Sequence, residues 1–405
     1  GRRHPVGSPG APLPPITRPV LSLMRRPIIR YISHGYQTGY GEAGRRLVNA
    51  LVNLGMNIHW VPIQFDPDDP LIPNSCSTLL ADLEPLRSMT GRPDVVVVHA
   101  VPEMLPFLAR ISPPGVPLVS HTVWEAPELQ AHWPDLLNEC AGVVVPTKWN
   151  AQSFVRAGVS VPIGIVPHAV NADGAGTNDD AWLGSAGIDT GKSFVVHSVA
   201  AWIPRKAPWL TVEAYARAFE PDDDTLLVLH TDSHLGHGVP LPPGPESRSR
   251  LTSWSVAKIL HHHGPTGRVH LEHRMRTRSE LAALHRRSDC WLSLPHSEGW
   301  NLGAFDAAAE GTPVVTTGYG GPTEYLDADV SYLVPGQSMP SPDSLGASWV
   351  DPDIDSAVEA LRSVWSDPQG HSVAALPQRD RLRRRYAPSV VAGAFMEFLG
   401  QIGVA

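Results

Sequence analysis

The stretch LPHSEGWNLGAFDAAAEGTPVVTTGYGGPTEYL, Leu294 to Leu326, contains one complete turn of an α/β repeat. An apolar run ends at Leu294, a polar loop follows, a helix opens near Asn301 or Leu302, and the β-branched run Pro313–Thr316 starts the next strand. Glu298 lies in the loop just past the first strand, and Asp306 follows on the helix, about two turns along. A helix start offers free backbone N–H groups and a partial positive charge, which is what a phosphate requires. One acid before the helix and another along it can then grip hydroxyl groups on either side of a bound diphosphate. The glycines of GYGGPTE, Gly318 to Glu324, let backbone approach a ligand closely. Routine caps and a solvated loop explain either acid singly and the whole constellation poorly.

Outward from this stretch, short β-branched runs alternate with helical patterns along the whole chain, the mark of α/β architecture. Strands are expected at 28–33, 57–62, 94–99, 117–120, 142–145 and 164–166. A second series is expected at 194–200, 225–229, 268–271, 290–294, 313–316 and 331–334. Between the two series, NADGAGTNDDAWLGSAGIDTGK (Asn171 to Lys192) has no apolar periodicity and reads as a linker. The pattern predicts two doubly wound, Rossmann-like domains facing across a cleft, with ligands outside the carboxyl ends of the strands. The expected boundaries are a disordered tail 1–26, a first domain 27–171, a linker 172–192, a second domain 193–386, and a C-terminal helix 387–405 that can pack back on the first domain.

Two further stretches bear on the ligand. YISHGYQTGYGEAGRRLVNALVNLG places Gly39, Gly41 and Gly44 in G-x-G-x-x-G spacing between a strand and a helical pattern. Asp66 stands where a dinucleotide's ribose-binding acid belongs, but His34 to Thr38 separate the strand from Gly39, and the dinucleotide turn follows its strand directly. From this loop alone a nicotinamide enzyme, another ligand loop and a structural turn all stay open. AAWIPRKAPWL places Arg205 and Lys206 after the first strand of the second series, in a chain with four lysines against 28 arginines. Adjacent cations at a strand's carboxyl end suit a diphosphate, although a solvated pair is the ordinary fate of an RK dipeptide.

Composition narrows the classes. Of 405 residues 42% are hydrophobic and 18% charged, as in ordinary globular proteins, and a net charge of -8 argues against nucleic acid as the main partner. Cys76, Cys140 and Cys290 lack metal spacing and are odd in number, so they read as reduced thiols in a cytoplasmic protein. No apolar run reaches the length of a membrane span, so no stable membrane insertion is expected. His230, His234 and His237, and His261 to His263, have no cysteine or acid at zinc spacing, so no metal site is expected there.

With these residues in place the chain resembles the retaining GT-B glycosyltransferases of family 4. The resemblance spans nearly everything from Ile28 to Leu326 and rests on the Glu298–Asp306 spacing, AAAEGTPVV with the following glycines, Arg205–Lys206, and VPTKWNAQSFVRAGV…IVPHAVN up to Asn171. It implies transfer of a sugar from a UDP- or GDP-type donor, with no separate cofactor and no metal. It implies that Glu298 binds the donor sugar, Asp306 the ribose, backbone N–H groups of Gly299, Trp300, Asn301 and Leu302 the phosphate, and Arg205 and Lys206 the leaving diphosphate. Arg274 and Met275 should then cover the base, and Gly39, Tyr40 and Gly41 should form an acceptor-side loop reaching the donor phosphates. His121 matches the family's active-site histidine, with Trp124 and Glu125 beside it at the acceptor. The family usually has Glu where this chain has Asp306, and Gly where Asn301 stands. From Ile28 to Lys192 nine basic residues face sixteen acidic ones, which favours a soluble small-molecule or saccharide acceptor over an anionic glycolipid or cell-envelope polysaccharide. The rivals of another class are a nicotinamide oxidoreductase and a sugar-binding protein without turnover.

Overall fold

The structure, a computed structural model, describes residues 26–64, 80–172, 180–188, 193–233, 251–341 and 347–404. Asp66, Cys76, His234, His237, nearly all of the expected tail and parts of the expected linker lie outside the described residues.

The first sheet comprises β1 (Ile28–His34), β2 (Asn57–Ile63), β3 (Val95–His99), β4 (Leu118–His121), β5 (Gly142–Val145) and β6 (Ile163–Ile165). They are parallel, in the order β2-β1-β3-β4-β5-β6. The second comprises β7 (Phe194–Val199), β8 (Thr225–His230), β9 (Arg268–Glu272), β10 (Cys290–Ser293), β11 (Val314–Thr317) and β12 (Tyr332–Val334), parallel in the order β12-β11-β10-β7-β8-β9. Every expected strand is present, within about a residue at each end. Runs such as VVVVH and GVVV are buried along their whole length, because helices cover both faces of a parallel sheet. In each sheet the strand order reverses once, between β1 and β3 and between β7 and β10. A crevice opens at such a point, and both crevices face the cleft between the domains.

The helix Gly39–Asn53 and the last helix, Pro388–Gln401, pack together on the first sheet. Leu47, Val48 and Leu51 meet Val391, Phe395, Phe398 and Leu399 over Tyr31 and Trp60, so the chain's end completes the core of its beginning. The preceding helix, Pro368–Arg385, stays with the second domain, where Leu382 joins Phe305 and Trp291. Within the segment expected to be a linker, a short helix Ala181–Ser185 buries Trp182 and Leu183, with Ile188, against Val195, Leu226 and Val228.

One element carries no sequence signal. An antiparallel hairpin, β13 (Gly336–Pro340) and β14 (Ser348–Pro352), follows the second sheet. β13 is largely exposed, so no alternation of apolar residues marks it. Tertiary contacts hold the hairpin: Trp349 stacks on His296 with ring centroids 5.5 Å apart, and Val350 N–H donates to the His296 carbonyl.

Candidate active site

At the β7/β10 crevice the second domain gathers its charged side chains. Arg205 and Lys206 lie in the turn after β7 and Glu298 in the loop after β10. Arg205 Nη1 is 3.0 Å and Lys206 Nζ 3.3 Å from the Glu298 carboxylate. Arg205 Nη1 also donates to the Ser297 carbonyl at 2.8 Å, which fixes the guanidinium against the loop. Burial would raise the Glu298 pKa, but Arg205 and then Lys206 outweigh it and hold the carboxyl below its usual range. Glu298 therefore stays ionised although only 6% exposed.

Two non-glycine residues among those described have positive φ, and both flank this cluster. Ala207, at 41°, follows Lys206 directly, and Asn301, at 66°, stands at the start of the helix Leu302–Glu310. Such conformations cost free energy and concentrate at functional sites. At Asn301 the backbone is left-handed, a region that Asn tolerates. Its side chain accepts from Ala304 N–H at 3.2 Å, while its own Nδ2 is buried without a partner, as is Trp300 Nε1. Gly299 packs against Val123 and the Trp124 carbonyl of the first domain. The glycines at 320 and 321 differ from expectation. A Cβ there would stand 2.4 Å from the Glu298 carbonyl and 2.2 Å from the Gly299 carbonyl, so they admit the protein's own loop.

At the β1/β3 crevice the first domain presents uncharged rings. His121 ends β4, is 1% exposed, and stacks on His99, the last residue of β3, with ring centroids 3.7 Å apart. Burial, and then His168, hold the His121 pKa well below the usual histidine range. Gly39, Tyr40 and Gly41 form the first turn of a helix, where a loop was expected. Thr38 caps it by accepting from Gly41 N–H at 3.0 Å. A Cβ on Gly41 would stand 1.8 Å from the Tyr36 carbonyl, which leaves no room for a side chain. Tyr40 stacks on His34 and donates to the Val123 carbonyl at 3.1 Å, tying the helix start to the segment after β4. Trp124 packs edge-on against Trp133 and donates to the Glu128 carbonyl at 2.7 Å, so its ring belongs to the first-domain core.

The two crevices touch. Glu125 reaches Arg205 Nη2 at 3.3 Å, and Ser297 Oγ donates to the Glu125 carbonyl. Arg46 forks onto Asp306, with Nη1–Oδ1 at 2.8 Å and Nη2–Oδ2 at 2.6 Å. It also donates to the Ala169 carbonyl and Glu42, and Glu42 in turn accepts from Arg278 at 2.7 Å. Burial raises the Asp306 pKa more than Arg46 lowers it, whereas three arginines overcome burial at Glu42 and bring it down to about 2. Glu324 accepts from the N–H groups of Lys148 and Trp149 at the start of the first-domain helix Lys148–Ala157. Arg46 and Glu42 are interdomain residues without a signal of their own in the sequence, and Glu324 closes the GYGGPTE stretch with no sign of its partners across the domains.

The expected base-binding loop lies past the end of β9, where Gln37 of the first domain donates to the Arg276 carbonyl. Arg274 N–H donates to Glu272 at 2.7 Å, the Arg274 carbonyl bonds His230, and Met275 is 40% exposed. Arg274 lines a cavity of about 370 Å³ with Glu272, His273 and Arg276. Asp306 lines another of about 180 Å³ with His285, Glu310 and Asn171. Among the described residues no group of three His, Cys, Asp or Glu is placed to hold a metal, and no helix is long and apolar enough to cross a membrane.

No known protein-family profile matches the chain. A glycogen synthase of Mycobacterium tuberculosis (strain H37Rv) is 34% identical over 125 residues, 31% of this chain and 26% of that protein, so the match spans about a quarter of the curated relative. Anabaena Alr3699/HepE, solved in complex with UDP and glucose, superposes with a TM-score of 0.62 at 14% identity, over 93% of this chain and 100% of that one. Sucrose-phosphate synthase from Thermosynechococcus elongatus gives 0.64 at 15%, over 93% and 99%. Trehalose 6-phosphate synthase from Burkholderia multivorans gives 0.62 at 13%, over 93% and 99%. At such identities the likeness shows the fold, which is GT-B.

Proposed function

We propose that the chain is a retaining glycosyltransferase of the family 4 type, moving a sugar from a UDP- or GDP-type donor to a hydroxyl of a soluble small-molecule or saccharide acceptor. The observation that carries this reading is the convergence of Arg205, Lys206, Glu298 and the start of the Leu302–Glu310 helix at one crevice of a GT-B fold. The local identity to a glycogen synthase and the UDP bound by a protein of the same fold support it.

In the ligand-free protein the two cations are neutralised by Glu298 and Glu125. A diphosphate entering the crevice takes over their N–H donors, and Glu298 is then free to accept hydrogen bonds from the sugar hydroxyls. The acceptor oxygen attacks the anomeric carbon on the face from which the diphosphate leaves. The carbon–phosphate-oxygen bond breaks, the new glycosidic bond forms, and the acceptor's proton passes to the departing phosphate. Arg205 and Lys206 stabilise the charge that develops there. The two domains hold both substrates in register, and His121 orients donor or acceptor. With two cations and a helix start meeting the diphosphate charge, the reaction runs without a metal. Asp306, seated by Arg46, meets the ribose.

A thermal-shift panel of UDP-, GDP-, ADP- and dTDP-sugars tests the reading, because a ligand that binds the native state raises its stability by mass action. One nucleotide class should raise the midpoint and its sugar should be transferred or slowly hydrolysed. Glu298→Gln should lower turnover while leaving affinity for the free nucleotide near wild type. Stabilisation by NAD alone, or no response to any nucleotide sugar, overturns it.

A further inference from the structure

The crevice of the first sheet holds two buried titratable side chains that the proposed reaction leaves unused, Tyr31 and His99. His99 and His121 occupy paired register positions at the ends of β3 and β4, so their rings stack with only 2° between their planes. One hydroxyl serves both rings. Tyr31 Oη lies 2.9 Å from Nδ1 of His99 and 2.9 Å from Nδ1 of His121. All three side chains are buried, Tyr31 completely, and Phe395 of the last helix closes over Tyr31 and His121. The other ring nitrogen of His121, Nε2, is buried with no partner in the protein.

Proton counting restricts this arrangement. A phenol has one proton to donate, and a neutral imidazole carries one N–H and one bare nitrogen. If both Nδ1 atoms were bare, one of them would lack a donor. If both carried protons, the phenol's own proton would have no acceptor. Either case strands a polar group away from water, which is costly. All three groups are satisfied only when Tyr31 donates to one imidazole and accepts from the Nδ1–H of the other. Burial holds both rings neutral, so they must be opposite tautomers.

We propose that Tyr31 is a positioning residue: by bridging the two Nδ1 atoms it locks His99 and His121 in opposite tautomers, so that His121 Nε2 meets a substrate hydroxyl in one fixed protonation state and ring orientation. The substrate hydroxyl rests on the sugar-transfer reading; the lock itself rests on the three side chains. His99 is then the counterweight that keeps the Tyr31 proton from choosing freely, and the paired register of β3 and β4 keeps the two rings parallel.

The experiment reads ring-nitrogen signals of the full chain labelled with nitrogen-15. In the wild type, one histidine of the pair should be Nδ1–H and the other Nε2–H, each as a single species. Tyr31→Phe removes only the hydroxyl and should convert the His121 signals to a tautomer mixture. His99→Asn, which keeps a polar atom near the Nδ1 position, should disturb them less. With UDP-glucose as the probe donor, Tyr31→Phe should lower kcat by about tenfold to a hundredfold with KM little changed. The same tautomer in both wild-type rings overturns the lock, whether or not the variants fold. So does a folded Tyr31→Phe protein whose His121 signals match the wild type. An unchanged kcat in that variant removes the positioning role. A wild-type protein that leaves UDP-glucose and the other donors untouched fails the transfer reading instead, because the ring-nitrogen signals decide the lock without turnover.

Discussion

The two sheets meet the cleft with opposite chemistry. At the β1/β3 crevice the polar groups are neutral rings: His99 and His121 are buried, with His34 and Tyr40 half-buried beside them. At the β7/β10 crevice they are ions held by ions: Arg205, Lys206 and Glu298, with Glu125 from the facing domain. Burial is nearly as deep in both. The difference lies in the neighbours: His99 and His121 are lowered first by desolvation and then by nearby histidines, and desolvation brings His34 down to about 4. At Glu298 two cations outweigh desolvation. The same cost of burying charge thus produces a neutral wall and a charged one, according to whether a counter-charge is built in.

Acid is the harshest way to break that comparison, because it charges the neutral wall. An unfolded histidine titrates near 6.5. His34 folded titrates at about 4 and His168 at about 3, and His99 and His121 lie well below the usual value, as do His197 and His285 of the second domain. Between those values the unfolded chain binds more protons, so this stability is complete above pH 6.5 and lost as pH falls towards the folded values. Glu42, at about 2, contributes stability that begins to fade only below about 4.5. The raised carboxyls of Glu125 and Asp306 act in the opposite direction. From pH 7.5 to 5.5 each ring kept neutral therefore contributes about 1 kcal/mol of lost stability, several kcal/mol over the six. Urea unfolding across that interval should show stability falling steadily. A flat profile would mean that the rings are solvated or charged.

The next largest effect is expected where the two walls join. Arg46 is the one cation that both Asp306 and Glu42 share with the Ala169 carbonyl. Arg46→Met leaves the half-buried Asp306 carboxylate short of its partner, while Glu42 keeps Arg45 and Arg278, and should cost about 3 kcal/mol, read as a lower denaturation midpoint. Arg46→Met combined with Asp306→Leu should recover much of that loss, since removing both ions of a buried pair is far milder than removing one. If the double variant is as unstable as the sum of the singles, the pair is not coupled as its geometry implies.

What the sequence revealed follows the range of the interactions. The strands and the site loop after β10 were legible because hydrophobic period, turn chemistry and helix starts are local. Asn301 was visible as a departure, but its left-handed backbone was not. The β13–β14 hairpin was missed because its support comes from His296, far away in sequence. Arg46–Asp306 and Glu324 on the Lys148–Ala157 helix were equally hidden, since pairing across domains leaves no periodicity. The unsettled status of the opening glycines has a physical reason too: Gly41 is required by the Tyr36 carbonyl, a contact that any of the three readings of that loop would have allowed.

On the charged wall, Lys206→Ala sharpens the comparison through function. Lys206 makes one ion pair, to Glu298, and is more exposed than Arg205. Its loss should leave the fold intact and lower turnover by about a hundredfold, as for removal of one donor to a developing oxyanion. Near wild-type turnover in a folded variant would take Lys206 out of the diphosphate site.

The smallest effect is expected at Glu324, which is an ion on the second domain serving a neutral helix end on the first. Its two carboxylate oxygens accept from Trp149 N–H at 2.6 Å and Lys148 N–H at 3.0 Å, while Thr147 takes the Asn150 N–H at 3.0 Å. The helix start is thus capped twice, once locally and once from across the cleft. Because Thr147 remains, Glu324→Ala should cost only about 1 kcal/mol, the usual worth of a cap together with a favourable charge at a helix N-terminus. Part of that loss should vanish at high salt, where the charge–dipole contribution is screened. Thr147→Ala should cost a similar amount with little salt dependence, since its hydroxyl is uncharged. Equal salt sensitivity in the two variants would show that the Glu324 contact is a hydrogen bond alone, and that charge crosses this part of the cleft without consequence.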